Sequence, residues 1–152
     1  MTFFPELNVF LLSLIPIGEL RLAIPMGILQ YHLNPWVVFI IAVIGNCIPV
    51  FFIVWLMPRI EQLCRKNTLL SRLLDAIFKR TRRSFNKQYE RYGSIALMIF
   101  VAIPLPGTGV WTGALAGWLF GISKRHIFIY VNLGALGAGI IVLLLTMGFL
   151  QI

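Results

Sequence analysis

The sequence predicts an all-α integral membrane protein: two re-entrant helical hairpins and two full transmembrane helices in an inverted repeat, with a basic amphipathic interfacial helix between the halves. Three observations lead there. The 152-residue chain is 59% hydrophobic, with a mean hydropathy of +0.90, outside the range of a water-soluble domain. Four apolar stretches, at roughly 7–33, 36–57, 94–120 and 127–152, make up most of it. Each could cross a bilayer core of about 30 Å at 1.5 Å per residue. Two of the four are broken by proline and glycine, in IPIGELRLAIP from Ile15 to Pro25 and in AIPLPGTGVWTG from Ala102 to Gly113.

Charge selects the topology. The net charge is +8, which in a soluble protein would suggest nucleic acid. Here, however, ten of the thirteen Lys and Arg residues lie between Arg59 and Arg91, with Lys124 and Arg125 beyond. A basic block beside apolar spans marks the cytoplasmic side, so the 59–92 loop is expected inside and no nucleic-acid partner is expected. Four full crossings would put the 121–126 turn, GISKRH, on the external face. If the broken stretches are hairpins instead, only 35–58 and 124–151 cross. Every basic residue except Arg21 is then cytoplasmic, and both termini are external. That arrangement is preferred over a four-helix bundle of the small multidrug exporter kind.

The elements follow in order. Half-helices at about 4–14 and 20–31 flank a turn at Pro16–Glu19, and Asn34-Pro35 opens the first full span. In the 59–92 linker, Leu70, Leu73, Leu74, Ile77 and Phe78 recur at i, i+3, i+4, i+7 and i+8, the pattern of a helix lying in the interface. Half-helices at about 93–103 and 109–121 flank the second turn at Pro104–Gly107, and the last span follows. The chain is thus one domain, 1–152, comprising a first repeat 1–58, the linker 59–92 and a second repeat 93–152. Each full span carries an asparagine, Asn46 or Asn132.

Glu19 and Arg21 are the only charges in any apolar stretch. A charge at the centre of a membrane helix costs about 2.5–3.5 kcal/mol on insertion scales, which makes both residues candidate proton- or substrate-binding groups. Glu19 could carry a proton, while Arg21 offers a permanent charge and forked donors. The plain structural alternative is that Glu19 caps its own half-helix and Arg21 neutralises it. The second turn adds Pro104 and Pro106, which end a helix, and Gly107 and Gly109, which let the backbone reverse. Thr108 is placed to cap the helix that follows, whose free N–H groups form an anion site. Gly109, Gly113, Gly117 and Gly121 recur every fourth residue, a face for close helix packing. Asn46 and Asn132 are expected to hydrogen-bond between helices.

Other chemistry finds little support. His32 and His126 are isolated at span ends, so no metal site and no cofactor are expected. Cys47 and Cys64 read as packing residues. No nucleophile–base or paired-carboxylate set is visible, so the chain is not expected to be an enzyme. No basic n-region precedes the first apolar run, so no cleaved signal peptide is expected.

The strings GELRLAIPMGI (Gly18 to Ile28), Asn34-Pro35 and PLPGTGVWTGALAG (Pro104 to Gly117) resemble the small bacterial membrane proteins of the small multidrug export family. The resemblance runs nearly end to end and implies export of small molecules across the cytoplasmic membrane. The hairpin layout and the Glu-x-Arg turn are also distantly similar to the DedA superfamily, which implies translocation of a lipid carrier. The arginine expected at the second turn in that superfamily is absent here. The expected function is therefore a proton-coupled secondary exporter of small molecules. A translocase of an anionic lipid-phosphate carrier is the alternative, and a scaffold acting through the basic loop comes third. Two hairpins and two spans are too few to enclose a pathway, so a homodimer in the lipid bilayer is expected.

Overall fold

The computed structural model describes residues 4–105 and 107–149, apart from the side chains of Lys87, Gln88 and Glu90. The described chain is helical: α1 (Pro5–Leu14), α2 (Glu19–Pro25), α3 (Pro35–Cys64), α4 (Thr68–Tyr92), α5 (Ala96–Ala102), α6 (Val110–Leu119) and α7 (Lys124–Phe149). A π-helical turn, Met26–Gln30, extends α2, and a 3-10 turn, Gly93–Ile95, leads into α5. Only α3 and α7, of 30 and 26 residues, are long and apolar enough among the described residues to cross a membrane. The two broken stretches become pairs of helices of 7 to 10 residues, which rise only about 10–15 Å each.

The boundaries have local causes. Pro5 occupies the first turn of α1, where its missing N–H has no partner to lose. Asn34 caps α3, its side chain accepting from the Trp36 N–H at 2.9 Å. Asn67 caps α4 in the same way, accepting from the Leu69 N–H at 2.9 Å. α3 does not stop at 58, where the linker was expected to begin. It passes through Pro58 to Cys64, because no capping residue intervenes before Asn67 and the Glu61–Arg65 ion pair at 2.7 Å supports the final turn. Pro25 brings no N–H to the end of α2, and the chain continues in the wider π turn closed by Tyr31 N–H to Met26 O at 3.1 Å.

α3 and α7 pack side by side and antiparallel, with Phe39 against Gly139 at one level and Trp55 beneath Lys124 at another. α1 and α2 pack on α3 as α5 and α6 pack on α7, and each inner helix also leans on the other half's long helix, α2 on α7 and α6 on α3. Glycines permit this closeness. A Cβ on Gly117 would lie 2.7 Å from Ile127 Cγ1, and one on Gly113 would overlap Val101. Gly121 departs from the expected packing row. It lies beyond α6 with φ +69 and open space around it. There it forms the left-handed closing residue of a Schellman turn, with Ile122 N–H to Gly117 O at 2.9 Å and Gly121 N–H to Trp118 O at 3.1 Å.

The linker helix divides its apolar residues between two surfaces. Leu74, Phe78, Thr81 and Phe85 are buried, while Leu69, Leu70, Leu73 and Ile77 stay exposed. The expected single stripe is split because Phe85 docks between Phe100 and Phe120, at ring distances of 5.3 and 5.2 Å. Phe78 adds a contact with Trp118 at 5.6 Å. α4 therefore lies across the α5–α6 pair, at the end of the molecule where Lys124 meets Trp55. The start of α3 lies at the other end, with Gly27 close to Val9 and Val38.

Gly134 gives the sharpest test of the packing, because a Cβ there would stand 2.6 Å from the Met98 carbonyl, which no side-chain rotation relieves. Gly134→Ala is expected to lower stability by about 1–3 kcal/mol, read as a fall in melting temperature in detergent. Gly148→Ala, with open space around it, should leave melting unchanged.

Candidate functional site

Both broken stretches present their turns to each other. In the first, Ile15 is extended ahead of Pro16, and the chain closes with Glu19 N–H to Ile15 O at 3.0 Å. Glu19 itself adopts φ +48. That left-handed backbone costs a non-glycine residue on the order of 1–3 kcal/mol and persists only where its surroundings impose it. In the second, Pro104 holds Ile103 extended, at φ −77 and ψ 117. Gly107 supplies the reversal with φ +83, and Gly109 starts α6. Pro106, named with these residues from sequence, lies outside the described residues.

Each charge of the first turn is spent on the second turn. Glu19 is 6% exposed, and its Oε2 accepts from the Val110 N–H at 3.3 Å. Its carboxylate lies directly against the Cα of Gly109, in the space any Cβ would fill. Arg21 donates from Nη1 to Leu105 O, and from Nη2 to Ile103 O at 3.3 Å and Thr108 Oγ1 at 3.1 Å. In return, Trp111 of α6 donates from Nε1 to Leu14 O, at the end of α1, at 3.2 Å. A carboxylate thus sits at the N-terminal, positive end of α6, and a guanidinium sits at the carbonyls that end α5. Among the described residues the ion pairs are those of Arg65 with Glu61 and Asp75; Glu19 and Arg21 form none with each other.

Hydrogen bonds to charged groups contribute about 1.5–3 kcal/mol each. Several such bonds are of the same order as the insertion cost of the two charges. Cross-bracing of the turns is therefore enough to hold both charges in an apolar setting. Glu19 lies in the first turn of its own half-helix, α2, as the plain alternative has it, and its side chain also meets the first N–H of α6 in the other half. One sequence expectation is corrected. Thr108 does not cap α6: its hydroxyl lies 2.7 Å from Ile103 O and 2.8 Å from Leu105 O, and so serves the end of α5. The anion site foreseen at the start of α6 exists, and the protein's own Glu19 occupies it.

Between the turns lies a cavity of about 400 Å³, whose polar lining comes from Glu19, Arg21, Gly107, Gly109 and Thr112. An apolar groove of about 480 Å³ shares Arg21 and Pro104 with it and continues past Leu29 to Leu145 and Phe149. The structure thus brings Glu19, Arg21, Pro104, Gly107, Thr108 and Gly109 into one site. Gly113 and Gly117 stay in the helix packing. Asn46 and Asn132 do not bond to each other. Both amide atoms of the buried Asn46 lack partners, and Asn132 Nδ2 turns to Phe128 O at 2.7 Å. Trp111 and Thr112 were missed from sequence. Their signal was position, directly after the second turn.

Gly109→Ala should drive the Glu19 carboxylate off Val110 and cost about 1–3 kcal/mol of stability. The cost should shrink markedly in a Glu19→Ala background, because the clash and the bond involve the same carboxylate. Melting curves of the two single variants and the double variant would read this directly.

The family model described as "Putative small multi-drug export protein" matches residues 19–141. That span begins at Glu19, the last residue of the first turn, includes the whole second turn and ends within α7. No curated protein and no solved structure matches the chain. The match covers well over half the chain and, with two helices able to span a bilayer, identifies a membrane protein of the small multi-drug export protein family.

Proposed function

We propose that the protein is a proton-coupled secondary exporter of small molecules in the bacterial cytoplasmic membrane, with the cavity between the two turns as its transport site. One observation carries this reading. Glu19, buried and without an ion-pair partner among the described residues, grips the Val110 N–H across the junction of the halves. A proton on Glu19 removes the charge that makes this bond and the α6 dipole contact strong. Proton uptake then loosens one half against the other and opens the cavity, and a cationic substrate competes with the proton for the same carboxylate. Arg21, whose donors stay on the second turn, positions Ile103, Leu105 and Thr108 as the opposing gate.

The topology in this reading has α1–α2 and α5–α6 as re-entrant hairpins entering from opposite faces, with α3 and α7 crossing fully. The shortness of the four helices supports it, and so does the position of α4, Trp55 and Lys124 at one end of the molecule. The repeated pattern of helix pairing supports an inverted repeat. Non-helical backbone at membrane depth is tolerated where it lines a cavity, which suits both turns. The 59–92 segment is then cytoplasmic and both termini are external. A homodimer would close the cavity's open side. A lipid-phosphate translocase is the second reading, favoured by the apolar groove that meets the cavity at Arg21.

In proteoliposomes with an imposed pH gradient and ethidium as probe, Glu19→Gln is expected to abolish proton-linked flux while Arg21→Lys only reduces it. Loss of function in Arg21→Lys with Glu19→Gln still active would instead favour the lipid-phosphate reading, since fork geometry is what lysine lacks. Full flux in both variants would remove the site assignment. A C-terminal reporter active on one side only should report an external C-terminus, whereas a cytoplasmic signal would contradict the hairpin topology.

A further inference from the structure

We infer that the cleft between α3 and the start of α7 is a binding site for an anionic phospholipid of the surrounding bilayer, its phosphate held by Lys124 and Arg125 and an acyl chain lying along Phe51 and Phe128. The cleft has a volume of about 360 Å³ and is lined by Phe51, Trp55, Lys124, Arg125, Phe128 and Ile129. It shares no lining residue with the cavity between the turns. Lys124 Nζ stands 4.7 Å above the centre of the Trp55 ring, and the Phe51 ring leans on Trp55 at 5.8 Å. One end of the cleft is therefore cationic and the other is an aromatic wall.

Four of the six lining residues are large hydrophobics that remain open to the surroundings: Phe51 at 49%, Trp55 at 55%, Phe128 at 40% and Ile129 at 51% exposure. On a membrane protein these face acyl chains. Trp55 lies nine residues before the end of α3, the level at which tryptophan meets the headgroup region, and long basic side chains reach toward the same level.

Charge then chooses among lipids. No described carboxylate answers Lys124 or Arg125: Glu61 and Asp75 are engaged by Arg65, Glu19 is held at Val110, and Glu6 belongs to the first turn of α1. With no acid among the described residues to meet a choline or ethanolamine group, the cleft favours a lipid with net negative charge. A free anion would gain nothing from the aromatic wall, which only an attached chain can cover. The basic residues of α4, such as Lys79 and Arg80, are not part of the lining.

The test uses the full chain in vesicles of phosphatidylcholine mixed with phosphatidylglycerol, with one lipid brominated at a time. Quenching of Trp55 is read as the difference between the wild-type protein and Trp55→Phe. Brominated phosphatidylglycerol should be preferred over brominated phosphatidylcholine by roughly fivefold or more at equal mole fraction, the scale of one basic group at an anionic surface. The preference should vanish in the Lys124→Gln/Arg125→Gln variant and survive in Lys79→Gln/Arg80→Gln. Equal quenching by the two lipids in the wild-type protein would overturn the proposal by itself, whether or not the variants reconstitute. So would a preference that outlasts removal of Lys124 and Arg125, which would mark general attraction of anionic lipid to the basic linker.

Discussion

Two broken helices take backbone groups out of the helical ladder, and the structure turns on how those groups are satisfied. α5 ends at Ala102, and the carbonyls of Ile103 and Leu105 beyond it leave the helical ladder, met within their own turn by the Leu105 and Thr108 N–H groups and the Thr108 hydroxyl. α6 begins at Val110 without a side-chain cap from its own segment. Arg21 adds charged donors to those carbonyls, and Glu19 supplies the acceptor for the Val110 N–H. Glu19 and Val110 are both buried, and a buried polar group left without a partner costs about 1–3 kcal/mol, so the two halves depend on each other at this point. Trp111 returns the arrangement by serving the end of α1.

The rest of the packing follows from that junction. Helices of 7 to 10 residues are marginal alone and need a long helix to lie on, which α3 and α7 provide. The approach must be close if side chains two residues apart on one turn are to reach the other turn. Gly109, Gly113, Gly117 and Gly134 allow this, each meeting a neighbour where a Cβ would stand. α4 then seals the end of the second pair through Phe78 and Phe85 rather than only floating in the interface. Its leucines at 69, 70 and 73 remain exposed.

The same junction suits a moving part. The left-handed backbone at Glu19 and the π turn after Pro25 flank the site, and both kinds of irregularity concentrate where proteins carry function. A carboxylate held by a neutral N–H, with no ion-pair partner among the described residues, responds strongly to a proton because its grip depends on its own charge. An arginine bonded to backbone carbonyls keeps its charge throughout and serves as the fixed side of the contact. The proposed transport cycle rests on this difference between the two residues.

Much of the fold was legible in the sequence because its signals are local. Hydropathy over windows of about twenty residues located α3 and α7, proline and glycine located both turns, and Asn34 marked the start of a span. Insertion cost singled out Glu19 and Arg21 before any contact was known. Local signals misjudged what distance decides. Thr108 looked like a cap for α6 and serves α5, Gly121 looked like packing and closes a turn, and the linker stripe divided once Phe85 found Phe100 and Phe120. Asn46 and Asn132 lie on adjoining helices without bonding to each other, which spacing along either helix could not reveal. What the sequence determined by itself was the set of helices, their breaks and the presence of two costly charges, since these depend on neighbours along the chain. Only the tertiary structure decided which groups those charges satisfy, because their partners lie more than 80 residues away, and a hydrogen bond depends on approach in space.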